Sequence, residues 1–278
     1  MSRSNSLPWK TIFYRLLGIN RKRVTAIFFR YFYILRKGSH QLSDLFFWPF
    51  IDILLWGLTS TWVAVNQPGS SIPLFLMTGL IFWQVTWRGS IDISTTLLQE
   101  FWSRNLINLF ASPLKISEWI LGVSLFCIVK LFITVSFGAV VVYFLYTLNI
   151  FAVGWMFLPF AVLLLMFGWT VGYLAASAII YWGHRVEALA FMVGYIFAPF
   201  SAVFYPVSIL PLWAQKIAWC LPTTYLFEGM RSILSQHVFP VHYFWMSLAI
   251  SITYLLFAMG LFKFSFEKSK EKGLSRLD

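Results

Sequence analysis

Long apolar stretches recur along the whole chain, and they restrict its fold more than any other feature. Several run to about twenty residues without a cluster of charges, which at about 1.5 Å per residue is enough to cross a hydrocarbon core of roughly 30 Å. Such stretches must be helices, because lipid cannot satisfy backbone N–H and C=O groups. Composition agrees, since 59% of the 278 residues are hydrophobic and 11% are charged. The sequence therefore predicts an all-α integral membrane protein.

Six of these stretches are predicted to span the membrane. They cover residues 44–65, 72–97, 116–148, 153–182, 187–205 and 243–266. Together they form a six-helix transmembrane domain over residues 44–266, which follows an N-terminal segment at 1–43 and precedes a basic tail at 267–278.

The N-terminal segment alternates apolar and basic positions between residues 7 and 37. The apolar positions that share one helical face are Val24, Ile27, Phe28, Tyr31 and Leu35. Nine Lys or Arg residues occur among the first 43, but no acidic residue and no continuous apolar run, so a cleaved leader is not expected. The pattern predicts an interfacial amphipathic helix on anionic lipid. A solvated basic arm is the alternative, which the dense aromatic residues do not favour.

The distribution of Lys and Arg predicts the orientation. If both termini are cytoplasmic, the inner side holds nine basic residues at the start, Arg104, Lys115, Arg185 and five more at the end. The outer side then holds Lys216 and Arg231, and the loops at 66–71 and 149–152 have none. This is the positive-inside pattern, and it explains the net charge of +11 without a nucleic-acid partner. A multi-pass protein of a bacterial inner membrane is expected.

The inner-side segment at 98–113 is amphipathic and is predicted to form a short interfacial helix that ends before Pro113. Its polar face, with Glu100, Arg104 and Asn108, is expected to be open to a cytoplasmic partner. Trp102 lies in the same segment. The alternative is a helix that only caps the span before it.

Prolines break the chain after the fifth predicted span. Pro206, Pro211 and Pro222 bound two apolar helices that are too short to cross a membrane. The simplest arrangement is a re-entrant helical pair over about 206–236, between spans five and six. Glu228 and Arg231 are three residues apart and are expected to pair, which lowers the cost of placing either near lipid.

These last motifs resemble a known family. The proline-bounded run at 206–211, the Leu-Pro-Thr-Thr-Tyr run at 221–225 and the pair Glu228 and Arg231 are similar to the C-terminal signature of ABC-2 type transporter permeases. The likeness extends over nearly the whole chain. The family's interfacial helix, six spans, coupling helix and re-entrant pair all have counterparts here. The resemblance implies that residues 98–113 are the coupling helix, which contacts an ATPase.

The resemblance also implies a function. The sequence contains no Gly-x-x-x-x-Gly-Lys phosphate loop, so ATP and Mg are expected on a separate ATPase subunit, and this chain is not expected to be an enzyme or to bind a cofactor. A second permease copy, as a homodimer, is implied as well. The expected function is ATP-driven export of a lipidic, amphipathic drug-like or lipid-linked glycan substrate. A polysaccharide or O-antigen type permease is the alternative, and a secondary transporter or membrane enzyme is less favoured.

Four charged residues fall inside the predicted spans, namely Asp52, Arg88, Asp92 and Lys130. Arg88 and Asp92 are four residues apart and can pair on one helical face. Structural pairing is favoured, and a contribution to a polar translocation path is the alternative.

Small residues are spaced along the fourth predicted span, and the chain has two cysteines and four histidines. Gly168, Gly172 and Ala176 have the small-xxx-small spacing that allows close helix contact, either within one subunit or between two copies. Cys127 and Cys220 are expected to be ordinary packing residues. The four histidines lack ligand spacing, so no metal site is predicted.

Overall fold

The computed structural model describes residues 19–69, 71–147, 154, 157–236 and 238–271. These residues form helices and turns, and they contain no strand. Several predicted features lie outside the described residues. They are residues 7–18 of the amphipathic segment, the loop at 149–152 and the tail from residue 272 onward.

Ten α-helices follow one another in the described part of the chain. They are α1 (Arg21–Lys37), α2 (Ser39–Asn66), α3 (Ile72–Trp102), α4 (Leu106–Ala111), α5 (Ile116–Tyr146), α6 (Phe157–Trp182), α7 (Leu189–Phe197), α8 (Leu212–Ala218), α9 (Pro222–Gln236) and α10 (Val241–Glu271). Short 3-10 turns at Gly183–Val186, Ala198–Phe200 and Val207–Ile209 connect some of them.

Four helices, α2, α5, α6 and α10, are long and apolar enough to cross a membrane. Helix α3 has 31 residues, so it is about 46 Å long, yet its most apolar membrane-length stretch is less apolar than those of these four. Its polar side chains are buried between other helices, including Gln84, Arg88, Asp92 and Glu100. Polar groups inside a helical bundle can be satisfied by protein neighbours, which lipid cannot provide.

Helix α3 lies at the centre of the bundle and packs against α2, α5, α6 and α7. Its contact with α6 is the most extensive, because small residues let the two backbones approach closely. A Cβ added at Gly168 would lie 2.5 Å from the Thr86 carbonyl oxygen, and one at Gly172 would lie 2.7 Å from that of Ser90. The small-residue stripe of α6 therefore makes its contact within the subunit.

The region predicted as a continuous fifth span, 187–205, is instead broken. Helix α7 has nine residues, a 3-10 turn with Pro199 follows, and Ala202 has a positive φ of 54°. Proline lacks the backbone N–H that would continue the helical hydrogen bonds, and a positive φ ends a helix. The continuous helix was therefore a wrong prediction. The actual helix and turn together span about 20 Å, less than a hydrocarbon core.

Helix α9 runs antiparallel to α10. Ser247 donates a hydrogen bond to the Pro222 carbonyl oxygen at 3.1 Å, and Tyr254 donates to that of Cys220 at 3.1 Å. Tyr254 lies 13 residues after the start of α10, at about 20 Å along its axis. The turn between α8 and α9 therefore lies deep along the length of α10.

Candidate functional site

Helix α1 packs on the N-terminal part of α5. Val24, Ile27, Tyr31 and Leu35 are buried, as their shared face predicted, but they contact protein. Gly122 of α5 makes this possible, because a Cβ added there would lie 2.6 Å from Ile27 Cγ2. The prediction that this face lies on lipid is corrected: the sequence pattern identified an apolar face, and α5 covers it.

Glu100 lies near the end of α3 and does not face outward. Its side chain is 1% exposed. Arg30 of α1 donates to both carboxylate oxygens, at 2.8 and 3.2 Å, and Asn105 Nδ2 donates at 2.8 Å. The prediction that Glu100 is open to a partner is wrong, because Arg30 already satisfies its charge. Glu100 holds α1 to the end of α3.

Glu118 is the equivalent anchor at the start of α5. Its fully buried carboxylate accepts hydrogen bonds from the backbone N–H of Asn20 at 2.7 Å and of Lys115 at 2.9 Å. Arg23 of α1 lies 3.5 Å away. Two buried carboxylates, Glu100 and Glu118, therefore fix both ends of the 101–117 connection to α1.

An aromatic pair lies between these two anchors. Trp119 Nε1 donates to the Tyr31 hydroxyl at 2.9 Å, and both side chains are buried. Burial, and then the nearby Glu100 carboxylate, raise the pKa of Tyr31 well above its usual value. The phenol therefore keeps its proton at physiological pH.

The connection itself forms an exposed tip. Helix α3 ends in a Schellman motif, in which the N–H of Asn105 donates to the Glu100 carbonyl and that of Arg104 donates to the Phe101 carbonyl. Arg104 occupies the left-handed position with φ 50°, where glycine is usual. The six-residue helix α4 follows and ends before Pro113, as predicted.

Leu106 and Leu109 of α4 point inward and are buried. The outward side chains, which we call the tip surface, are Trp102, Arg104, Ile107, Asn108 and Pro113. Trp102 is 54% exposed, and its Nε1 donates to Glu187 at 3.3 Å. Four of the five residues predicted for this site thus share one exposed surface, and Glu100 lies beneath it.

The buried charges of the bundle form a group in which charges balance. Arg88 donates to Asp44 at 2.7 Å and to Asp92 at 3.4 Å, and Lys130 of α5 donates to the same Asp92 oxygen at 2.5 Å. Arg88 also donates to the Asp44 carbonyl. The expected pair of Arg88 and Asp92 is present. Asp44 was not predicted as a site residue, because no spacing in the sequence links it to Arg88. Asp52 is separate and accepts a hydrogen bond from Gln84 at 2.9 Å.

The other predicted pair, Glu228 and Arg231, joins α9 to the broken segment, which we define as residues 198–211. Their charged groups lie 3.1 Å apart. Glu228 accepts from the backbone N–H of Val207 at 2.7 Å, and Arg231 donates to the Ala202 carbonyl at 2.7 Å. These bonds satisfy backbone groups that the break leaves without helical partners. Pro206, Pro211 and Pro222 lie at the ends of the short helices and turns here.

Long apolar helices around a buried charge group define a multi-pass helical membrane protein. The family model of the ABC-2 type transporter matches residues 11–235, and the chain belongs to this family. It is therefore a permease component of an ABC transporter, a class that works with a nucleotide-binding subunit. No match was found among the curated proteins.

Proposed function

We propose that this chain is the membrane-spanning subunit of an ATP-driven exporter, and that a separate subunit binds ATP with Mg and hydrolyses it. The observation that carries the proposal is the position of α3. One end of this helix carries the tip surface, and the other end contacts the broken segment, where a Cβ added at Gly79 would lie 2.8 Å from the Val203 carbonyl oxygen. A displacement of the tip surface can therefore be transmitted to the broken segment through α3.

In this proposal the ATPase docks on the tip surface. Arg104 and Asn108 offer charge and hydrogen bonds, and Trp102 offers a large aromatic contact of the kind that interfaces favour. Glu100 and Glu118 act indirectly, because their bonds to α1 make the tip, α1 and α3 move together. Residues 98–113 then correspond to the coupling helix, which the structure divides into the end of α3 at Trp102 and the separate helix Leu106–Ala111.

The membrane arrangement in this proposal has six crossings, with both termini in the cytoplasm of a bacterial cell. Helices α1 and α4 lie at the inner surface, and α8 and α9 form the re-entrant pair. Helix α3 supplies one further crossing, and α7 supplies the other together with the residues before and after it, from Glu187 beside Trp102 to Val203 beside Gly79. Large apolar side chains on α2 and α10 are exposed, including Trp62, Leu58 and Phe257, which supports contact with lipid or with a second copy. The cargo is lipidic or amphipathic and passes between two permease copies.

The test is copurification from the native membrane in mild detergent, with mass spectrometry of the bound chains. We expect a chain that bears a phosphate-loop motif. Arg104→Glu should release it, because charge reversal places a carboxylate on the docking surface. Arg104→Gly is the matched control, since glycine suits the positive φ of this position and removes the charge without reversing it. If no ATPase accompanies an intact oligomer, the proposed energy source is wrong.

A further inference from the structure

Asp52 differs from every other acidic residue that the structure describes inside the bundle. It lies near the middle of α2, about 20 Å from the start of that helix, and its side chain is partly exposed. Its hydrogen-bond partner is the neutral amide of Gln84, at 2.9 Å. Among the described residues, no lysine or arginine forms an ion pair with it.

The contrast with Asp44 and Asp92 shows that the bundle can pair its acids. Those two carboxylates share Arg88 and Lys130, so four charges cancel within one cluster. An unpaired carboxylate at membrane depth costs at least a few kcal/mol, and such residues usually mark a substrate or ion pathway. Asp52 is therefore a carboxylate for which the protein provides no counter-charge.

Aromatic residues lie one turn from Asp52 on α2 and one turn from its partner Gln84 on α3. Trp48 and Trp56 lie one helical turn before and after it, on the same side of α2. Trp87 lies one turn after Gln84 on α3, and its ring centroid is 4.0 Å from that of Tyr195 on α7. Trp48 and Tyr195 are more than half exposed. Aromatic faces attract cations, most strongly where water is scarce.

We propose that Asp52, together with Trp48, Trp87 and Tyr195, binds an amphipathic cation, and that the exported substrate belongs to this class. The carboxylate supplies the opposite charge and the rings stack on the apolar body of the ligand. This inference deepens the proposed function and rests on it for its biological meaning. Its test measures binding alone and does not need the ATPase.

The probes are tetraphenylphosphonium and tetraphenylborate, which have the same shape and opposite charge. The full-length chain in nanodiscs of zwitterionic lipid is equilibrated with each probe, and binding to empty nanodiscs is subtracted. We expect saturable binding of the cation and none of the anion. Asp52→Asn should weaken binding of the cation by about tenfold or more, as expected for loss of an opposite charge in a poorly hydrated site.

Two controls keep the result interpretable. Asp52→Glu retains the charge and should retain most of the affinity, while Glu267→Gln removes an exposed carboxylate paired with Lys263 and should change nothing. If Asp52→Asn does not fold, the comparison of the two probes on the unmodified chain still decides. The proposal is overturned if both probes bind equally, or if the Asp52→Asn variant binds the cation as tightly as the unmodified chain. Asp52 would then have a structural role only. If the cation binds as expected but the copurification test finds no ATPase, this inference stands and the proposed function fails.

Discussion

Asp92 is the central residue of the buried charge group, because both Arg88 and Lys130 form ion pairs with it. We predict that Asp92→Asn lowers the free energy of unfolding by about 3–5 kcal/mol, since removing one partner leaves buried charge uncompensated. In this variant Asp44 would be the only carboxylate left in the group, beside the two cations Arg88 and Lys130. The measurement is thermal and denaturant unfolding of the purified chain in detergent.

The surface pair of Lys263 and Glu267 provides the control for this prediction. Its charged atoms lie 3.9 Å apart and both side chains are exposed, so Lys263→Gln should change stability by less than about 1 kcal/mol. If Asp92→Asn proves as mild as Lys263→Gln, water must reach the cluster. The charge group would then line an aqueous path.

Sequence spacing revealed some of these partners and missed others for a physical reason. Arg88 with Asp92, and Glu228 with Arg231, lie within one helical turn, so their pairing follows from helix geometry. Glu100 and Arg30 are 70 residues apart, and their pairing depends on how α1 docks. A pattern within one helix could show that Glu100 is polar, but it could not show which side of the helix another element would cover.

At the scale of elements, the packing of α1 on α5 depends on one small residue. We predict that Gly122→Leu displaces α1, because even a Cβ would lie 2.6 Å from Ile27 Cγ2 and 3.1 Å from the Val24 carbonyl oxygen. Amide hydrogen exchange in residues 21–37 should become faster by about tenfold or more, as the helix opens locally. If the tip, α1 and α3 move together, the ATPase activity that the partner subunit shows in complex with this chain should also fall.

Gly260 of α10 offers the matched substitution for this test. A Cβ added there meets no atom within 4 Å, so Gly260→Leu adds the same side chain without a clash. Exchange in α1 should then stay unchanged. Equal exchange in the two variants would contradict the close packing of α1. The sequence predicted the apolar face of α1 correctly, but lipid and protein are both apolar, so it could not identify what that face contacts.

The broken segment depends on α9 for its backbone hydrogen bonds. We predict that Arg231→Gln speeds hydrogen exchange at residues 201–210 and lowers stability by about 1.5–3 kcal/mol, the range for hydrogen bonds to charged groups. The reason is the lost bond to the Ala202 carbonyl and the lost pairing with Glu228. Ser235→Ala, on an exposed position of the same helix, should leave both quantities unchanged.

At the scale of the whole molecule, two helices of opposite character are buried, the polar helix α3 and the apolar helix α6. The apolar runs of α2, α5, α6 and α10 could be predicted from the sequence because each is long and apolar enough to cross a membrane, whether lipid or protein covers it. Helix α3 can carry Gln84, Asp92 and Glu100 because neighbouring helices supply their hydrogen-bond and charge partners. The break after α7 depends on Pro199 and Ala202, and an apolar run alone could not reveal it. Hydropathy alone does not report what covers a helix, because α6 is as apolar as the exposed α10 although most of it is buried inside the protein.

Orientation is the property of the whole molecule on which the proposed function depends. The turn at Gln67 and the tip at Ser103 lie at opposite ends of α3, and both are exposed. In a Cys220→Ser background, a membrane-impermeant maleimide should label Gln67→Cys in intact cells, and Ser103→Cys only after the membrane is permeabilised. The background chain should stay unlabelled, because Cys127 is buried. The reverse pattern would place the tip outside the cell, where no cytoplasmic ATPase could contact Arg104, and coupling through α3 would have to be abandoned.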